Sequence, residues 1–286
     1  MSKHIKQFQN ETAYNEFRQS QDFILPNLSL CIEENTFKSE AAPPPHDYSK
    51  DYLTIISRED DNHFMYRYTQ VSSTSVKKVI YVSLDNGQTW YRRTPDSGTS
   101  IYTVFNKGDK ILLKGDNSSY CEYNSYYSRY LYDFFDCSKT FDVEGNIHSL
   151  RNSTNFASGA TYVSENAFYC LFSNSKVVNA ENLILPYTSL DKRCYANMFN
   201  NCSLLTKSPV LPAKTLYTYC YSGLFENCSS LEEIKCLATN ISASGCTSSW
   251  VTGVAPTGTF IKDSSMTNWT TGVNGIPEGW TVEDAS

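Results

Sequence analysis

The clearest pattern in the chain is a gapless repeat of apolar positions. Residues 183–209 and 209–235 align without an insertion, and the same apolar positions recur in both. A fixed period of about 20–30 residues is typical of a solenoid, whose stacked units bury one continuous core. Twelve side chains are therefore predicted to point inward: Leu185, Cys194, Met198, Phe199, Cys202, Leu205, Leu211, Cys220, Leu224, Phe225, Cys228 and Leu231.

Within each repeat the spacing predicts a short strand followed by a short helix. The strand should precede Leu185 and Leu211, and the helix should cover residues 194–199 and 220–225, where apolar residues stand at i, i+4 and i+5. A weaker repeat begins near residue 147, and residues 258–282 break the period as a terminal cap would. We therefore expect a C-terminal leucine-rich-repeat solenoid with its cap over residues 147–286.

Residues 46–146 show the alternating pattern of short β-strands. Apolar runs of four to six residues are separated by turn sequences such as Asp85-Asn86-Gly87, which favours a hairpin. Six or more such strands predict a small β-sandwich. The tyrosine-rich segment 120–135 has two interpretations of equal weight, an exposed binding loop or a surface packed against the first repeat.

Residues 1–45 are predicted to form an amphipathic helix, a β-hairpin and a stiff proline-rich linker that ends at Pro45. So little apolar surface does not fold stably by itself, so the segment should dock on the rest of the chain, on a second copy or on another protein. The stiff spacer favours docking outside the chain's own body. The candidate anchor residues are the apolar ones of this segment: Phe8, Tyr14, Phe17, Phe23, Ile24, Leu28, Leu30 and Ile32.

Composition narrows the range of partners. The net charge is −6, and charged residues make up only 19% of the chain, which argues against nucleic-acid or anionic-membrane partners. The 21 tyrosines suit contacts with a protein or a glycan. No apolar run is long enough for a signal peptide or a membrane span. We therefore expect the ten cysteines to be reduced core thiols of a chain made in the cytoplasm.

The chemistry-bearing motifs favour structural roles. Ser83, Asp85, Gly87 and Trp90 match the Asp-box pattern Ser-x-Asp-x-Gly-x-Thr-Trp of sialidase propellers, in which the box is a structural hairpin. A nucleophile pair of Cys121 or Cys137 with His148 has no supporting motif, and the acidic residues 59–62 lack the spacing of a calcium loop. We predict no enzymatic activity, no cofactor and no metal site.

The two clear repeats read CYANMFNNCSLL from Cys194 and CYSGLFENCSSL from Cys220. They resemble leucine-rich repeats of the BspA-like type, whose secreted members are surface adhesins. The chain departs from that family in having a longer repeat and no signal peptide. The resemblance is confined to the repeat region and covers less than half of the chain.

The overall layout resembles virion proteins of phages that infect Bacteroides-type gut bacteria. Those proteins begin with sequences like MSKHIKQF (residues 1–8) and DFILPNLS (residues 22–29), followed by varied fibre, decoration or tail modules. The resemblance implies a homo-oligomer on the virion surface that contacts other virion proteins through residues 1–40 and a host-surface protein or glycan through its repeats. The alternatives are a bacterial cell-surface leucine-rich-repeat adhesin and, on the Asp-box alone, a glycan-acting enzyme.

Overall fold

A computed structural model describes residues 46–69, 78–95, 103–125, 128–158 and 161–285. Residues 46–286 form one compact unit. The predicted anchor and linker, with all eight candidate anchor residues, lie outside the described residues.

The described part of the chain is mainly β-structure, with 33% of residues in strands and 5% in short helical turns. The helical turns are 3-10 helices at Tyr48–Lys50, Ile147–Leu150 and Phe156–Ser158, and none of the described helices reaches seven residues. The strands are β1 (Leu53–Ser57), β2 (Asn62–Tyr68), β3 (Ile80–Ser83), β4 (Tyr91–Arg93), β5 (Thr103–Phe105), β6 (Lys110–Gly115), β7 (Cys121–Asn124), β8 (Arg129–Cys137), β9 (Phe141–Asn146), β10 (Val177–Asn179), β11 (Leu183–Ile184), β12 (Glu233–Cys236), β13 (Thr259–Lys262) and β14 (Thr281–Asp284).

The largest sheet has seven strands and mixed pairing. Its main order is β10-β9-β1-β6-β3-β4, and β11 also pairs with β9. Strands β1, β6, β3, β4 and β9 are antiparallel neighbours, whereas β10 and β11 run parallel to β9. Strand β9 thus joins the N-terminal strands to the repeats. One sheet contains strands from both sides of the boundary expected between residues 146 and 147.

A second, antiparallel sheet has the order β5-β2-β8-β7, and a third, parallel sheet has the order β12-β13-β14. Along β8 the buried residues alternate with partly exposed ones, as expected for a strand that faces the core on one side. Its inward residues include Leu131 and Phe135, and Phe135 packs in one hydrophobic core with Leu53 of β1 and with the repeats.

The predicted helices over residues 194–199 and 220–225 are wrong. Those segments consist of linked turns in which every fourth residue has a left-handed backbone, and such a residue cannot continue a right-handed helix. Four such turn runs cover residues 166–174, 193–201, 219–227 and 245–253. Their left-handed residues are Asn166, Cys170 and Asn174; Arg193, Asn197 and Asn201; Tyr219, Gly223 and Asn227; and Gly245, Ser249 and Gly253.

The turn runs are joined by backbone hydrogen bonds from alternate residues. In the second run, the N–H groups of Tyr195, Phe199 and Asn201 donate to carbonyls of the third run at 3.1, 3.0 and 2.7 Å. The residues between them bond within their own run, as the Met198 N–H does to the Tyr195 carbonyl at 3.2 Å. Every second donor is therefore satisfied by the neighbouring run, which makes each run depend on the next.

All twelve predicted repeat-core residues are buried, none more than 3% exposed. Two columns of buried aromatic rings pass from run to run. One contains Phe135, Phe172, Phe199 and Phe225, with ring centroids 5.4–6.0 Å apart, and the other contains Phe168, Tyr195, Tyr221 and Trp250, with ring centroids 5.6–6.5 Å apart. The apolar period therefore found the buried side chains although the backbone differs from the one expected.

The predicted fold class is wrong in its architecture. The described residues show mixed sheets and linked turns, not a leucine-rich-repeat solenoid of strands and helices. The prediction of a small, separate β-sandwich is also wrong. The largest sheet combines strands of residues 46–146 with β10 and β11 of the repeat region. The predicted N-terminal helix-hairpin falls in residues outside the described part.

Phe199→Ala should lower the free energy of unfolding by about 3–5 kcal/mol, because it leaves a cavity between two stacked rings. Phe199 is fully buried between Phe172 and Phe225. Denaturant titration measures the change. Leu204→Ala is the control, since Leu204 is 42% exposed and its loss should change stability by about 0.5 kcal/mol or less. Equal effects of the two substitutions would contradict the packing.

Gly145→Ala should destabilise the chain more than Gly108→Ala. Both glycines have left-handed backbones, at φ 81° and 84°, so both substitutions carry the same backbone cost of about 1–2 kcal/mol. A Cβ on Gly145 would also lie 2.1 Å from the backbone oxygen of Tyr52, whereas one on Gly108 meets nothing within 4 Å. Thermal melting compares the two. Equal losses would show that β9 and the residues leading into β1 do not approach this closely.

Candidate functional site: an exposed tyrosine and arginine row

The tyrosine-rich segment 120–135 forms the hairpin of β7 and β8, and its two faces differ. One face packs against the first turn run, with Tyr120 stacked on Phe168 and Phe135 beside Phe172. The other face carries Tyr123 and Tyr130. This second face also contacts the first run, because the Tyr130 ring lies 5.1 Å from that of Tyr169, and Tyr123 is left exposed. The segment therefore packs against the first repeat, and its role as a binding surface stays a prediction.

A row of surface side chains runs from this hairpin onto the repeats. Tyr123 and Tyr130 have ring centroids 5.2 Å apart, and the guanidinium of Arg193 lies 5.4 Å from the centroid of the Tyr130 ring. The guanidinium also lies 4.8 Å from the centroid of the Tyr219 ring. Tyr123, Tyr130, Arg193 and Tyr219 are called the tyrosine–arginine row below.

The row is supported by half-buried residues. The Tyr169 ring lies 5.1 Å from that of Tyr130, and the Tyr169 hydroxyl accepts a hydrogen bond from the Asn197 side-chain amide at 3.3 Å. Tyr123 is 55% exposed, whereas Tyr130, Arg193 and Tyr219 are half-buried. The row therefore offers aromatic rings and one cation to solvent on a packed support.

Arg193 and Tyr219 occupy the same position in successive turn runs. Both have a left-handed backbone with φ of 54°, and Gly245 follows at the same position one run later. The side chains consequently project from one edge of the stacked runs, which explains why they meet although they are one full repeat apart in the sequence. The repeat period aligns Arg193 with Tyr219 in the sequence. The pair was not predicted, because the apolar pattern that reveals the period marks buried positions and not surface ones.

The Asp-box residues form the expected hairpin turn between β3 and β4. Asp85 accepts hydrogen bonds from the Ser83 hydroxyl and the Thr89 N–H, each at 2.8 Å, and the Gly87 N–H donates to the Ser83 hydroxyl at 2.8 Å. Bonds from Thr89 lower the pKa of Asp85 to about 2. The Trp90 indole N–H donates to the Gly87 carbonyl at 3.0 Å, so each of the four motif residues serves the turn.

The other groups considered for chemistry have partners or are buried. Burial raises the pKa of the thiols of Cys121 and Cys137, which keeps them protonated at neutral pH. The imidazole Nδ1 of His148 lies 2.6 Å from the Tyr187 hydroxyl, and burial lowers the pKa of this histidine. In the acidic turn, Glu59 accepts hydrogen bonds from the backbone and hydroxyl of Thr140.

The nine described cysteines are free and buried, and none of them forms a disulfide. Within residues 46–285, as far as the structure describes them, no group of three or more His, Cys, Asp or Glu side chains is placed to hold a metal ion. No helix in the described segments has the length and apolarity to cross a membrane.

Comparisons with models of protein families, with curated proteins and with solved structures find no match to the chain. The resemblances noted from its residues stay predictions.

Strand β8 of the hairpin also carries one buried carboxyl group. Asp133 of β8 is 1% exposed and accepts a hydrogen bond from the Tyr66 hydroxyl at 2.7 Å. Burial raises the pKa of Asp133 from its ordinary value of 3.8 to about 7, although the Tyr66 bond and the charge of Lys78 oppose this. The folded chain therefore holds a proton here that the unfolded chain releases near its ordinary pKa.

This proton predicts a pH dependence that Asp133→Asn should remove. Between about pH 4 and pH 7 the folded state binds more protons than the unfolded state at Asp133, so its stability falls as the pH rises. The steepest slope for one such group is about 1.4 kcal/mol per pH unit. Unfolding titrations at several pH values should show the wild type losing stability relative to Asp133→Asn across this window. Parallel curves for the two proteins would contradict the raised pKa.

Proposed function

We propose that the chain is a non-enzymatic structural protein of a phage virion, in the head or tail fibre or decoration class. Residues 1–40 attach it to other virion proteins, and the repeats are displayed outward for attachment to a host surface. The chain is made in the host cytoplasm, assembles as a homo-oligomer on the virion surface, and needs neither a nucleic acid nor a membrane. The support for the anchor is the resemblance of residues 1–8 and 22–29 to the starts of such proteins.

The observation that carries the display part of the proposal is the tyrosine–arginine row. Tyr and Arg are enriched at binding surfaces. Tyr offers a large contact area at a low cost in side-chain entropy, and the planar guanidinium of Arg makes paired hydrogen bonds. Tyr123 and Tyr130 stand on paired strands, and Arg193 and Tyr219 stand on turn runs whose backbones are bonded to one another, so the row is held in place before a ligand arrives.

The absence of an enzymatic role is part of the same proposal. Asp85 is bonded within its own hairpin, and the thiols of Cys121 and Cys137 are held protonated by burial. These contacts give the motif residues structural roles, which favours attachment over catalysis.

Sedimentation with phage particles tests the anchor. The full chain should pellet with purified particles of the phage that encodes it, whereas a chain lacking residues 1–40 should stay in the supernatant. A full-length Phe23→Ser, Ile24→Ser variant should also stay in the supernatant, because it removes two apolar anchor candidates without truncation. Arg193→Asn is the matched control and should pellet like the wild type.

Two results would refute the virion proposal. Binding of the truncated chain to particles would place the attachment elsewhere. If the chain were recovered on intact bacteria with a processed N-terminus, and not on particles, the result would show that it is a cell-surface adhesin.

A further inference from the structure

Arg193 differs from most basic side chains of the repeats in contacting aromatic rings and no acidic partner. Among the described residues, Lys192, Lys207, Lys214 and Lys262 form ion pairs with Glu165, Glu181, Asp263 and Asp284. The contacts of the Arg193 guanidinium are with the rings of Tyr130 and Tyr219. Stacking on the rings leaves the N–H donors at the rim of the planar guanidinium available to an acceptor in the same plane.

The nearest acidic residue in sequence has its own partner. Asp191 accepts a hydrogen bond from the Tyr162 hydroxyl at 2.6 Å and another from the Lys192 backbone N–H at 2.7 Å. Among the described residues, Arg193 forms no ion pair, although the net charge of the chain is −6. An anionic ligand would supply the missing partner.

The backbone of Arg193 determines where its side chain lies. Its φ of 54° is the left-handed conformation that recurs at every fourth position of the turn runs, and the equivalent places in the first and fourth runs hold Asn166 and Gly245. The second and third runs carry Arg193 and Tyr219 at this position, and their side chains meet there.

We propose that the tyrosine–arginine row binds a carboxylated saccharide, a polymer or glycan that contains a sugar acid. The Arg193 guanidinium would form a paired, charge-assisted hydrogen bond to the sugar carboxylate. The rings of Tyr130 and Tyr219 hold the guanidinium between them. The ring of Tyr123, which is 55% exposed and lies 5.2 Å from that of Tyr130, would pack against the C–H face of the neighbouring sugar unit. The inference rests on the proposed role in attachment and names the ligand class.

The spacing of charge favours a saccharide over an acidic peptide. The row holds one cation between aromatic rings, and this arrangement suits a ligand in which a carboxylate alternates with flat, partly apolar units that carry hydroxyl groups. An acidic peptide presents its carboxylates on flexible side chains, and its recognition would use several cations side by side.

Isothermal titration of the full-length chain with three probes tests the inference. The first probe is oligogalacturonate, which has both sugar rings and carboxylates. The second is its methyl ester, which keeps the rings and removes the charge, and the third is poly-L-glutamate, which keeps the charge and removes the rings. We expect oligogalacturonate to bind at least about tenfold more tightly than either of the others.

Arg193→Asn should weaken oligogalacturonate binding by at least about tenfold, since the charge-assisted bond is lost. Asparagine tolerates the left-handed backbone, so an unchanged melting temperature should accompany the loss. Lys235→Gln is the matched control. Lys235 of β12 also forms no ion pair among the described residues and lies outside the row, so its loss should leave the affinity unchanged.

Three results would overturn the inference: no binding of oligogalacturonate, equal binding of the acid and its ester, or equal weakening by Arg193→Asn and Lys235→Gln. Tighter binding of poly-L-glutamate that depends on Arg193 would also overturn it and assign the row to acidic proteins. Sedimentation with particles does not involve the row. Failure of the saccharide experiment while the chain still pellets would therefore reject the ligand and leave the virion role standing.

Discussion

The structure depends on one backbone constraint, a left-handed residue at every fourth position of each turn run. This residue turns the chain so that alternate N–H groups point out of the run and donate to the carbonyls of the next one, as Tyr195 does to Cys220. A helix directs its hydrogen bonds along its own axis, so stacked helices would be linked mainly by side-chain packing. The linked turns also tie the repeats together through backbone hydrogen bonds, so each run supplies acceptors for donors of its neighbour.

The same constraint separates the buried face from the surface. Most residues between left-handed positions are buried, and they form the aromatic columns, in which Tyr195 and Tyr221 pack as fully buried rings. Several left-handed residues lie along the edges of the runs, where Asn227 donates to Asn201 at 2.9 Å on the exposed side. Arg193 and Tyr219 belong to this edge, and they are exceptions in bearing large side chains where asparagine or glycine is easiest.

Strand β9 connects the repeats to the N-terminal half of the chain. It pairs antiparallel with β1 and parallel with β10 and β11, and the close approach at Gly145 leaves no space for a side chain. The hairpin of β7 and β8 then packs against the first run through Phe135 and Tyr130, and its Tyr123 and Tyr130 start the tyrosine–arginine row. Display of that row consequently depends on the packing of both halves into one core.

The sequence by itself determined the period, the buried side chains and the Asp-box hairpin. These follow from local patterns, since apolar spacing reports burial and Asn-Gly reports a turn. It did not determine the backbone of the repeats, because cysteine at i, methionine or leucine at i+4 and phenylalanine at i+5 suit a helix as well as linked turns. Only the tertiary structure decided that choice, since half of the donors in a run find their acceptors one full repeat away along the chain. It also decided the row, because the hairpin that carries Tyr123 and Tyr130 is distant in sequence from Arg193 and Tyr219, and the two parts meet only in the folded chain.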